Sequence, residues 1–175
     1  GVGKSAISVM ARLIAKVEGF SNEDQERTFR VGIINGGNFV NVIPTSCHAE
    51  VLCVAPTQDD FNEIQRLMSE LRSPDPDVIL KVEQGPIRPL FVMSKESEKL
   101  YKIAKGVGRK VGLDLGFGQF GGGSDGNFCG AIGVPTLDGL GVCGDGVHTK
   151  QEHLLVSSLE PRARLFAGLL EEITR

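Results

Sequence analysis

No apolar run in this chain of 175 residues approaches the ~20 residues that span a bilayer, and no signal peptide is visible at its start. A basic excess is missing as well: Lys+Arg number 19 against 22 Asp+Glu, for a net charge of −3. Nucleic acid and anionic membrane surfaces both call for a basic face, so neither is expected as the main partner. The four cysteines, Cys47, Cys53, Cys129 and Cys143, contain no C-x-x-C pair. The economical reading is reduced thiols in the cytoplasm. An initiating methionine is also lacking. Gly1-Val2-Gly3-Lys4-Ser5 runs directly into a helical pattern, as expected of a piece of a longer protein.

What is present fits a soluble globular chain, with 41% hydrophobic and 23% charged residues. At this length roughly 70% of the unfolded surface can be buried without disulfide or metal staples. Glycine contributes 23 residues, nearly twice its usual share of ~7%. Most of the excess lies between Gly106 and Gly146, where backbone-rich loops around a site are expected.

Ala6, Ile7, Met10, Leu13, Ile14 and Val17 recur at helical spacing and predict an amphipathic helix over residues 4–18, ending at Gly19. Ser21–Arg27 reads as a loop and Phe29–Ile34 as a strand broken by Gly36-Gly37. Cys47–Val54 alternates, with Cys47, Ala49, Val51 and Cys53 on one face and His48, Glu50 and Leu52 on the other. Cys47 and Cys53 would lie ~20 Å apart on one strand, too far for a disulfide. Thr57 can cap a helix over Gln58–Leu71, and Val78, Leu80 and Val82 open another strand. The order α-β-β-α-β is that of a ferredoxin-like βαββαβ unit lacking its first strand. Gly85–Pro89 reads as a crossing between domains. A helix over 95–111 capped by Ser94, a brief strand Val134–Leu137 and a last helix from Ser158 follow. In that last helix Leu165, Phe166, Leu169, Leu170 and Ile173 are expected inside. The fold class is α/β (α+β), divided as residues 1–90 and 91–175.

Four motifs carry chemistry. Gly3-Lys4-Ser5 resembles the end of a phosphate-binding loop, but a P-loop needs an earlier glycine and a strand before it. A plain helix start with a solvated Lys4 is the simpler reading. Gly139-Leu140-Gly141-Val142-Cys143-Gly144 has G-x-G-x-x-G spacing, yet Asp145–Thr149 does not read as the helix a dinucleotide site requires. Gly121-Gly122-Gly123-Ser124-Asp125-Gly126-Asn127 can bring backbone N–H groups close to an anion, or can be a flexible loop. His148 and His153 flank Thr149-Lys150-Gln151-Glu152 without the H-E-x-x-H pattern. Alone, His148 reads as either a loop histidine or a metal ligand.

Taken in order, Asn41-Val42-Ile43-Pro44, then Gly121–Phe128, then Gly133-Val134-Pro135-Thr136-Leu137-Asp138-Gly139-Leu140-Gly141, then His148-Thr149 with Glu152, resemble the dinuclear zinc peptidases of the aminoacylase and glutamate carboxypeptidase type. The resemblance covers essentially the whole chain, as a lid (dimerisation) domain over 1–90 and the C-terminal part of the catalytic domain over 91–175. It implies a zinc-dependent hydrolase that cleaves an amide bond of a small peptide or an N-acyl amino acid with two zinc ions and a glutamate base. It implies that His148 is a zinc ligand, that Asn41 reaches the substrate from the lid, and that the Gly122, Gly123 and Ser124 backbone holds the substrate carboxylate. It also implies a homodimer formed through the lid. The other ligands and the base belong to family segments that precede Gly1, so no catalytic residue is expected within the 175 residues. The resemblance places a carboxylate-binding arginine on the strand after Asn41-Val42-Ile43-Pro44, where this chain has Leu52. A leucine cannot make the bidentate pair of an arginine. That departure supports a second reading, a non-catalytic relative serving as a dimerisation or small-molecule-binding module.

Overall fold

Ser5 starts the first helix by accepting the Ser8 N–H on its hydroxyl at 3.3 Å, which satisfies one of the donors a helix leaves open at its N-terminus. Helix α1 then runs Ala6–Glu18. In the computed structural model, residues 3–118, 120 and 122–174 are described, and they form two units, Gly1–Leu90 and Phe91–Arg175. Lys4 is exposed, as expected, and also pairs with Asp75 at 3.1 Å. Gly1 and Val2 of the opening motif lie outside the described residues.

In the first unit, strands β1 (Thr28–Gly36) and β2 (Cys47–Val54) pair antiparallel, with a register shift between Val31 and Ile33. Helix α2 (Gln58–Ser69) begins at Thr57, whose hydroxyl accepts the Asp60 N–H at 3.2 Å and donates to its carboxylate at 2.6 Å. Val9, Leu13 and Val17 of α1, Phe29, Ile64 and Leu71 make the core. Val51 and Cys53 pack against it while Leu52 is 64% exposed, as the alternation of β2 predicts. On α1 the buried stripe contains Val9, whereas Ala6, Ile7 and Ile14 are only half-buried. The stripe is therefore rotated from the predicted one.

Val78–Val82 does not form the expected strand. Val78 and Leu80 still turn into the core and Ile79 is exposed, so the alternation is present without a ladder. The first unit's described strands are β1 and β2, which form a two-stranded sheet that residues 78–82 do not join.

The second unit is built on helices α3 (Lys95–Lys110) and α5 (Leu159–Ile173), joined by Ala104, Val107, Leu165 and Leu169. Ser94 caps α3 as predicted, accepting the Ser97 N–H at 3.0 Å. The helices approach closely at Gly168, where a Cβ would lie 2.7 Å from a Val107 methyl. Phe166, Leu170 and Ile173, expected inside, are each about half exposed. The α3 contact takes one narrow stripe of α5. At the end of the glycine-rich segment a short helix, α4 (Gly126–Ala131), forms that the sequence reading did not predict. The brief strand Val134–Leu137 is absent, because its donors are engaged elsewhere. Val134 N–H bonds the Cys129 carbonyl at 3.1 Å, and Thr136 N–H bonds the Ser97 hydroxyl at 3.2 Å. A two-residue ladder, β3 (Gly144–Asp145) with β4 (His153–Leu154), was not foreseen.

Leu165→Ala is expected to destabilise the second unit by roughly 2–5 kcal/mol, as for other buried leucines. Phe166→Ala should cost less than about 1 kcal/mol. Denaturant unfolding followed on the single tyrosine, Tyr101 in α3, reads both variants. Equal losses would contradict the observed orientation of α5. In the first unit, the Asp77 N–H and the Lys4 ammonium hold the Asp75 carboxyl below its ordinary value. Its stabilising contribution is therefore complete above the unfolded value, near ~4, and is lost as pH falls through the lower folded value. Asp75→Asn should remove that component of acid sensitivity. An acid titration by circular dichroism with the same acid limb in parent and variant would count against the pairing.

Candidate functional site

Asn41 lies in the loop between β1 and β2, in the first unit. The turn needs Gly37 at φ +70°, and a Cβ there would meet the Ile7 side chain at 3.2 Å. The loop is tied to α1 by the Ala6 N–H, which donates to the Pro44 carbonyl at 2.9 Å. Between these anchors Asn41 is exposed beside Phe39, Val40 and Val42, which are exposed too. The sequence thus projects a carboxamide from a loop held at both ends.

In the second unit, Gly121 lies outside the described residues, and Gly122 and Gly123 are exposed. Ser124 is locked in place. Its N–H donates to Asn127 Oδ1 at 3.0 Å and its hydroxyl accepts the Gly126 N–H at 3.1 Å. The Ser124 N–H is thereby already engaged, so the donors this segment offers an anion are the backbone N–H groups of Gly122 and Gly123. Asn127 as their neighbour's anchor was not foreseen, although a polar side chain three residues after a serine can reach back to its N–H as in a capping box.

His148 sits in the loop between β3 and β4 with a left-handed backbone, φ +64°. Few non-glycine residues adopt that region. Its N–H donates to Glu152 Oε2 at 3.1 Å. The loop closes through Thr149, whose N–H and hydroxyl both reach the Gly146 carbonyl, at 3.0 and 2.7 Å. Gly146 itself is at φ +70°, and a Cβ on it would lie 2.7 Å from the Gln151 carbonyl. His148 is exposed, and among the described residues its imidazole meets no hydrogen-bond partner. His153 differs, since its Nδ1 lies 2.8 Å from the Gln151 carbonyl. Of the two histidines, only His148 keeps both ring nitrogens available.

The glycine-rich segment and the His148 loop are held by separate local networks. A cleft of about 170 Å³ in the same unit is lined by Tyr101, Asp114, Leu137, Asp138 and Arg162, and by none of Gly122, Gly123, Ser124 or His148. No group of three or more His, Cys, Asp or Glu side chains among the described residues is placed to hold a metal ion. A catalytic zinc site uses three protein ligands. The described residues therefore do not fit a complete zinc centre, and His148 offers one ligand at most.

Residues 1–76 match the family model of the M20 peptidase dimerisation domain. That part of the chain is similar to a peptidase dimerisation domain of the M20 type, within an α+β chain. The whole chain is similar to the uncharacterized protein YqjE of Bacillus subtilis (strain 168), 27% identical over 99% of this chain and 47% of that protein. It is also similar to carboxypeptidase G2 of Pseudomonas sp. (strain RS-16), 25% identical over 98% of this chain and 42% of that protein. In fold it resembles the aminopeptidase PepT of Bacillus cereus ATCC 10987, with a TM-score of 0.54 at 21% identity over 98% of this chain and 46% of that one. The chain thus spans about half the length of the relatives it matches. No helix of the described residues is long and apolar enough to cross a membrane.

Zinc added to the purified 175-residue chain is expected to be lost on desalting, and no hydrolysis of dipeptides or N-acyl amino acids should follow. Retention of one zinc per chain, measured by atomic absorption, would reveal a site beyond the one ligand described.

Proposed function

We propose that the chain supplies the lid (dimerisation) domain, residues 1–90, and the C-terminal part of the catalytic domain, residues 91–175, of a zinc-dependent amide hydrolase. The reading extends to a metallopeptidase, carboxypeptidase or aminoacylase type of activity on a small peptide or an N-acyl amino acid. The observation that carries it is the pairing, in one chain, of a likeness to a peptidase dimerisation domain with an exposed imidazole that meets no hydrogen-bond partner among the described residues. An imidazole presented in this way suits a divalent transition metal.

In this reading His148 contributes one zinc ligand, and the remaining ligands of a two-zinc centre come from outside the 175 residues. The Gly122 and Gly123 N–H groups receive the substrate carboxylate, and the Asn41 carboxamide contacts the substrate from the lid. Ser124 acts as the fixed end of its loop, because its own N–H is engaged by Asn127. No general base is assigned within the chain. The whole protein works as a homodimer through the first unit, which the description of the matched domain supports. The four cysteines are free thiols, in keeping with a reducing, cytoplasmic setting.

The experiment is His148→Ala in the whole protein, with zinc content and hydrolysis measured together. Removing a metal ligand should cost more than the ~10–100-fold loss seen when a ligand's orienting partner is removed, while the circular dichroism spectrum stays that of the parent. Parent-like zinc content and turnover would reject His148 as a ligand and leave the dimerisation-module reading in its place.

A further inference from the structure

Glu152 is the one acidic side chain in the seven-residue loop 146–152, and it points back into the loop rather than out of it. We propose that Glu152 is a positioning residue for His148: by accepting the His148 backbone N–H it holds that residue left-handed and so sets the direction in which the imidazole leaves the loop. This rests on the reading of His148 as the functional imidazole, and adds a residue whose role is to aim it.

Three observations meet at this contact. His148 is at φ +64°, one of two non-glycine residues at positive φ among the described residues. A left-handed histidine is uphill by roughly 1–3 kcal/mol and persists only where surrounding contacts over-determine it. The Glu152 carboxylate supplies such a contact, at 3.1 Å from the His148 nitrogen. A hydrogen bond to an ionised acceptor is about twice as strong as a neutral one. Glu152 is itself fixed, because its N–H donates to the Thr149 carbonyl at 3.2 Å.

The rest of the loop leaves little room for another conformation. Gly146 and Gly144 face the backbone of Gln151 and His153 so closely that neither position accepts a side chain without movement. Leu155 N–H closes the base of the hairpin on the Cys143 carbonyl at 2.8 Å. The hairpin thus has a closed base, and the Glu152 contact acts at its tip. Without the carboxylate, the base persists and the tip loses the acceptor that selects the left-handed state. The imidazole would then sample several directions, and any metal it helps to bind would meet a less ordered ligand.

The test reads His148 directly. In the 175-residue chain, Glu152→Ala should speed hydrogen exchange of the His148 amide at least tenfold, measured by NMR, with the Leu155 amide unchanged. Glu152→Gln keeps a carbonyl oxygen that accepts the same hydrogen bond, and should restore protection to within about threefold of the parent. Equal His148 exchange in parent and Ala variant would overturn the proposal. Joint loss of protection at His148 and Leu155 would overturn it too, since Glu152 would then hold the whole hairpin. In the whole protein, zinc affinity should fall about tenfold in Glu152→Ala and recover in Glu152→Gln. His148→Ala is the control that separates the two claims. If it leaves zinc binding unchanged, the ligand reading fails, while the amide exchange still decides whether Glu152 positions His148.

Discussion

A two-stranded ribbon is at best marginally stable in water, so the first unit depends on burying one face of β1–β2 beneath α1 and α2. Phe29 is the centre of that contact. It is 1% exposed and packs edge-on against Phe20, with ring centroids 5.6 Å apart. Its backbone is gripped by one serine: Ser21 Oγ accepts the Phe29 N–H at 3.0 Å and donates to the Phe29 carbonyl at 3.3 Å. Arg27, just before β1, pairs with Asp60 of α2 at 3.1 Å, and both side chains are largely shielded from water. Loss of either partner would leave a poorly solvated charge, a more damaging event than loss of a surface pair. With the helices held in this way, the opposite face of β2 and the loop bearing Asn41 are left exposed.

The second unit solves a different problem. Its helices are joined by Ala104, Val107, Leu165 and Leu169, with a close approach at Gly168, and its candidate site residues lie on loops held by local hydrogen bonds. Asn127 fixes Ser124, Thr149 fixes Gly146, and Glu152 fixes His148. Rigid loops on a helical support suit a site that contributes part of its groups and receives others from outside the described residues. Among the described residues, one imidazole and two glycine N–H groups without a partner cannot hydrolyse an amide by themselves.

Particular residues show where reading by pattern succeeds. Thr57 and Ser94 are recognisable caps, because a hydroxyl one residue before an amphipathic run has a local partner whatever surrounds it. The alternation of Cys47–Val54 predicts its faces for the same reason: the period of two is a property of the strand. The order of motifs resembles a peptidase family, and the match of residues 1–76 to a peptidase dimerisation domain agrees with the peptidase part of that reading. Pattern reading fails for Phe166, Leu170 and Ile173, which belong to the apolar stripe of α5 yet stay half exposed. How wide a stripe is covered depends on the neighbouring helix, not on α5. It fails at Val134–Leu137 for a related reason, since Ser97, 39 positions away, takes the Thr136 donor.

The sequence by itself determined the longer helices, the caps Thr57 and Ser94 and the two-faced strand, which follow from neighbours within a few residues, and the family resemblance, which follows from the order of motifs. Only the tertiary structure decided which apolar side chains are covered, which extended segments find a partner, and which histidine keeps its ring free. His148 and His153 are five residues apart in one hydrophilic stretch and cannot be told apart by composition. Folding the loop back on itself places the Gln151 carbonyl beside the His153 ring and the Glu152 carboxylate on the His148 backbone, so that one ring is engaged and the other remains available.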